Sequence, residues 1–164
     1  MTKKISVLFI GTLLSLGAWT SIQMIAINTK GKTMSIAPGS TLPLSDFQKN
    51  DQTGIMYKIT QPGSGPQATI GKPATVHYTG WILLNPDKVG PTFDSSHKRN
   101  QPFSFMVGAG QVIKGWDLMV AAMHVGEKRI VVLPPAMAYG SRGAGGVIAP
   151  NSTLIFEIEL LKVS

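Results

Sequence analysis

Few residues in this chain have the type and spacing that acid–base, metal or nucleotide chemistry needs. Its histidines stand at positions 77, 97 and 124, too scattered to ligate one metal by local spacing. The sequence has no cysteine, which removes disulfides, zinc–thiolate sites and thiol nucleophiles. The G-x-S-x-G turn of a serine hydrolase is also missing. Gly108-Ala109-Gly110 begins a G-x-G-x-x pattern, but Ile113 occupies the third glycine's place. The stretch from Gly140 to Gly146 carries no Lys-Ser/Thr pair to cradle phosphate. His77, between Val76 and Tyr78, reads as a surface or hydrogen-bonded structural residue.

What remains is aromatic. Val112-Ile113-Lys114-Gly115-Trp116-Asp117 sets a tryptophan at a helix start, just behind two branched aliphatics. Tyr78 lies in Val-His-Tyr-Thr-Gly, and Phe93 precedes Asp94-Ser95-Ser96. Phe103 and Phe105 alternate, Tyr139 follows Met137-Ala138, and Phe156 alternates with Leu154 and Ile158. Any one of these is adequately explained as core. Trp116 itself is either ordinary core or the floor of an apolar pocket, and the residue alone leaves both open. Lys114 falls on the solvent side with no assigned role.

The elements that must hold this set are mostly strands. Alternation predicts strands over Ile55 to Thr60, Ala74 to Leu83, Phe103 to Val107, Glu127 to Leu133 and Thr153 to Val163. A long loop is expected after Leu83, around Asn85-Pro86-Asp87 and Gly90-Pro91. One helix is expected over Val112 to Met123, with Val112, Trp116, Met119, Val120 and Met123 on one face and Gly126 as its C-terminal cap. This is an α+β pattern: an antiparallel β-sheet packed on one short α-helix.

The net charge of +7 is spread along the chain rather than clustered, so nucleic acid is not expected as a partner. Lys3 and Lys4 precede an uncharged run from Ile5 to Ile27. Residues 1–27 therefore read as a signal peptide or, uncleaved, as a membrane anchor; as a helix the run would span about 34 Å. Residues 28–50 read as a polar linker with Pro38-Gly39-Ser40 and Leu42-Pro43-Leu44, whose isolated apolar residues are able to dock on the domain, and residues 51–164 as the globular domain. The domain is expected on the extracytoplasmic side, and as a monomer.

Six segments occur in the order and approximate spacing of a known family. They are Val76-His77-Tyr78-Thr79-Gly80, Phe93-Asp94-Ser95-Ser96, Pro102-Phe103-Ser104-Phe105, Val112 to Asp117, Ala138-Tyr139-Gly140 and Leu154 to Leu161. From about Gly54 to Val163 the chain resembles the FKBP-type peptidyl-prolyl cis-trans isomerases. The resemblance implies a twisted antiparallel sheet wrapped around the short helix, with the pocket between them. It makes Trp116 the floor under a proline ring, with Tyr78, Phe103, Val112, Ile113 and Phe156 as walls. Phe93 and Tyr139 would close the rim, and Asp94 would face the substrate carbonyl. The Ile113 N–H and the Tyr139 hydroxyl would donate to ligand carbonyls. Met137 and Ala144 depart from the family's common residues at two rim positions.

The implied activity is rotation about X–Pro bonds in the folding of extracytoplasmic proteins, with no cofactor and no metal. Proline-containing polypeptides are the implied substrates and a macrolide the implied inhibitor. The other class the residues allow is a module that holds proline-containing segments without turnover, as a chaperone does.

Overall fold

The structure, a computed structural model, describes Met34 and residues 36–164. The run Ile5 to Ile27 lies outside the described residues. Among the described residues no helix is long and apolar enough to cross a membrane.

Seven antiparallel strands form one sheet: β1 (Gln48–Lys49), β2 (Met56–Gln61), β3 (Pro73–Leu84), β4 (Lys88–Ser95), β5 (Phe103–Met106), β6 (Lys128–Leu133) and β7 (Leu154–Val163). Their order is β1-β2-β6-β7-β3-β4, with β5 also on β3. Among the described residues the single α-helix, α1, runs Lys114–Ala121. One sheet face packs on α1 through Val76, Tyr78, Val131, Leu133, Phe156 and Ile158, which meet Trp116 and Val120.

Two expectations need correction. The helix is shorter than Val112 to Met123. Ile113 is extended (φ −59°, ψ 148°), so Val112 and Ile113 precede the helix rather than form its first turn. Gly126 does not cap it; Gly126 sits in the tight turn closed by the Glu127 N–H on the His124 carbonyl. The loop expected after Leu83 is instead mostly strand β4, which turns back through Asn85–Asp87 and pairs with β3. Pro91 lacks an N–H, and the pairing tolerates it through register shifts on either side of Trp81. Strand β4 is thus masked in the sequence by Pro86 and Pro91, and β1 by its length of two residues.

The segment before β2 docks its isolated apolar residues on the sheet. Leu42 and Phe47 are buried, and they pack with Trp81, Val89, Ile130, Val132 and Ile155 on the face of the sheet away from α1. Met34, Ile36 and Leu44 join them. This cover explains why β7 is buried on both faces, with Ile155 as inaccessible as Leu154. Each large apolar side chain so covered contributes roughly 1.5–3 kcal/mol.

Candidate functional site

The site begins where the edge of β3 forks. Residues 73–76 of β3 pair with β5, and residues 79–84 pair with β4. Ser96, fully buried, fills the fork. Its N–H donates to the Tyr78 carbonyl at 3.0 Å, and its Oγ accepts the Tyr78 N–H at 2.8 Å. The fork brings Tyr78 beside Asp94 from β4 and Phe103 from β5, residues well apart in sequence.

Two glycines allow the close packing around it. A Cβ on Gly80 would lie 2.6 Å from Phe93 Cζ and 2.9 Å from Phe156 Cε1, so only glycine lets both rings cross β3 there. A Cβ on Gly115 would lie 2.5 Å from a Leu133 methyl, so glycine also lets α1 approach β6. That approach seats Trp116 against the sheet. Asp117, one position further, accepts the Gly108 and Gly110 N–H groups at 2.9 Å each and fixes the turn leading into Gln111 and Val112.

The result is a cavity of about 400 Å³. All nine residues expected at the site line it: Tyr78, Phe93, Asp94, Phe103, Val112, Ile113, Trp116, Tyr139 and Phe156. Gly110 and Gln111 line it too and were not anticipated. Met137 and Ala144 do not line it; both pack against the core. Trp116 is buried, with Tyr78 and Phe156 edge-on at centroid distances of 4.9 and 5.3 Å. Its indole N–H has no acceptor among the described residues.

Asp94 is the one charged group lining the cavity, and it is fully engaged. It accepts from the Tyr78 hydroxyl, from Arg99 and, at 2.8 Å, from the Ser95 N–H. Burial works against its charge, but these hydrogen bonds outweigh burial and hold the carboxyl below its ordinary range. Arg99 also donates to the Tyr78 hydroxyl at 3.0 Å. Sequence reasoning missed Arg99; its spacing of five from Asp94 is a weak signal, since a strand end and a turn separate them. Burial raises the Tyr78 and Tyr139 hydroxyls, helped at both by the charge on Asp94, so both stay protonated at neutral pH.

Other donors at the cavity besides the Trp116 indole are also uncommitted. The Ile113 N–H and the Tyr139 hydroxyl make no hydrogen bond among the described residues. His77 lies outside the cavity, bonded through Nδ1 to Ser96 Oγ at 2.8 Å and stacked on His97 at 4.3 Å.

Fold and site together define an α+β protein with an aromatic cavity, uncommitted donors and one engaged carboxylate. Residues 65–161 match the family described as FKBP-type peptidyl-prolyl cis-trans isomerase. An FK506-binding protein of Neisseria meningitidis serogroup B is 51% identical over 110 residues, which cover 67% of this chain and 96% of that one. The peptidyl-prolyl cis-trans isomerase Fkbp12 of Drosophila melanogaster is 48% identical over 111 residues, 67% of this chain and 98% of that one. The crystal structure of AtFKBP13 aligns with a TM-score of 0.63 at 37% identity, covering 72% of this chain and 98% of that one. The chain belongs to the FKBP-type peptidyl-prolyl cis-trans isomerase family. It is an enzyme that rotates the peptide bond preceding proline.

Proposed function

We propose that the cavity seats a substrate proline on Trp116 and lowers the barrier by preferring the twisted amide to the planar one. The uncatalysed barrier is about 18–20 kcal/mol and reflects amide resonance. The planar amide separates charge more than the twisted one, so an apolar wall favours the twisted state. The uncommitted Ile113 N–H and Tyr139 hydroxyl are the observation that carries this reading, because they supply donors to carbonyls on either side of the rotating bond. Two hydrogen bonds that improve by about 1 kcal/mol each on twisting give roughly thirtyfold. Asp94, Tyr78 and Arg99 orient rather than transfer protons, and none of the lining residues is a histidine.

Turnover of a proline peptide, measured with Trp116→Leu and Asp94→Ala and repeated with FK506, tests the assignment. Loss in the variants, in protein still folded by circular dichroism, supports it. Full turnover in Trp116→Leu overturns it. The rate is expected to be flat from about pH 6 to 8.

Proline-containing polypeptides are the proposed substrates, and a macrolide of the FK506 class the proposed inhibitor. Residues 1–27 are proposed to export or anchor the chain, on the strength of Lys3-Lys4 ahead of the apolar run. The clients would then be extracytoplasmic. Cell fractionation with N-terminal sequencing tests this, and light scattering tests the proposed monomer.

A further inference from the structure

Two clefts flank the aromatic cavity. The first, of about 390 Å³, shares Phe103 with the cavity and contains Arg99. The second, also about 390 Å³, shares Val112, Ile113 and Tyr139 with it and contains Lys114, Ser141 and Arg142. A polypeptide with its proline on Trp116 must leave over the cavity's rim. Extended chain advances about 3.3–3.6 Å per residue, so a cleft sharing the cavity's wall is reached within about three residues.

The two clefts differ in how their positive charge is used. Arg99 in the first is already paired with Asp94 and bonded to Tyr78. Lys114 opens α1, and Arg142 ends the short turn Gly140–Arg142, so two separate elements each bring a basic residue to the lining of one cleft. Neither makes an ion pair among the described residues, and no carboxylate lines the cleft. A basic pair on a solvated face usually means little. Here the pair faces a concavity that continues the catalytic cavity across three shared residues.

We propose that the cleft behind Ile113 and Tyr139 is a substrate subsite for an acidic side chain within about three residues of the proline. The inference rests on the isomerase reading of the adjoining cavity and adds a sequence preference to it. Lys114 and Arg142 attract the carboxylate, and the Ser141 hydroxyl lies in the same lining to donate to it. Carboxylates in this cleft raise kcat/KM chiefly by lowering KM, since the contact is the same for planar and twisted amide.

The test uses the full chain and paired peptides that differ only in Glu or Gln, placed one to three residues before the proline or one to three after it. Turnover is read by exchange NMR, and affinity by chemical-shift titration. On one side of the proline, the Glu peptide is expected to exceed its Gln partner about three- to tenfold at low ionic strength. The ratio should fall toward one in about 0.5 M salt and in Lys114→Gln/Arg142→Gln. It should persist in Lys72→Gln/Lys162→Gln, which removes equal charge outside all three cavities. Equal Glu and Gln peptides at every position overturn the subsite, as does a preference that survives the Lys114/Arg142 substitutions. Turnover of neutral peptides with a ratio of one overturns the subsite alone. Absence of turnover for every peptide overturns the isomerase reading, and the affinity ratio still decides the subsite.

Discussion

Replacing Gly80 with alanine sets two effects of opposite sign against each other. Gly80 lies inside β3, and its φ is not in the left-handed region. Alanine at an ordinary strand position is therefore expected to stabilise by roughly 0.5–1 kcal/mol, through lower entropy in the unfolded chain. The added methyl, however, would sit 2.6 Å from Phe93 Cζ and 2.9 Å from Phe156 Cε1. Phe93 is half-buried and can swing outward; Phe156 is buried and has little room to move. Overpacking of this kind costs about 1–3 kcal/mol. Loss of the edge-on Phe93–Phe156 pair, at 5.5 Å and 89°, adds about 0.5–1.5 kcal/mol. The net expectation is a destabilisation of about 0.5–4 kcal/mol, centred near 2, read from urea midpoints at unchanged m. Turnover should fall as well, because both displaced rings line the cavity. In a double-mutant cycle, Phe93→Ala should relieve part of the Gly80→Ala cost, giving a coupling of at least about 0.5 kcal/mol. A Gly80→Ala protein that is more stable than the parent and turns over peptide at the parental rate would refute the close approach.

Three further outcomes are expected. Asp94's carboxyl is held below its ordinary range, so its contribution to stability is complete above the unfolded-state value near pH 4 and is lost as pH falls through the folded value. Thermal midpoints taken from pH 7 down to pH 3 should therefore fall less steeply in Asp94→Asn than in the parent; an identical slope counts against the engaged carboxylate. Arg129→Met should destabilise by about 3–5 kcal/mol in urea unfolding, because it strands buried Glu127 without its partner. It also removes the donors to the Met119 and Ala122 carbonyls at the end of α1. Phe47→Ala should cost about 3–5 kcal/mol if this segment covers the sheet as described, and nothing measurable if it is only a tether.

The aromatic site was legible in the sequence because it is built from short segments that each carry a recognisable local pattern. Tyr78 and Phe103 lie on alternating strands, Trp116 follows a glycine at a helix start, and Phe93 is joined to Asp94. All of them line one cavity. Strand β4 was not legible, because Pro86, Gly90 and Pro91 broke the alternation that marks a strand. The cover from Met34 to Phe47 was legible only as isolated apolar residues able to dock, for a related reason. Its apolar residues follow no period, and they are buried by a sheet face formed from distant segments. Arg129 also gave no warning: a charged residue in an alternating strand reads as solvent-facing, yet it is buried against Glu127.

The sequence by itself determined the class of fold, the order of the main strands and the chemical character of the pocket, since periodicity and residue type are local properties. Only the tertiary structure decided what those residues do to one another. The fork in β3 sets Tyr78 between Asp94 and Arg99, and that contact occupies the carboxylate. The same packing leaves the Ile113 N–H and the Tyr139 hydroxyl without partners, and brings Lys114 and Arg142 to one cleft. Hydrogen-bond partners and charge pairing depend on distances between segments far apart along the chain, and no local pattern encodes them.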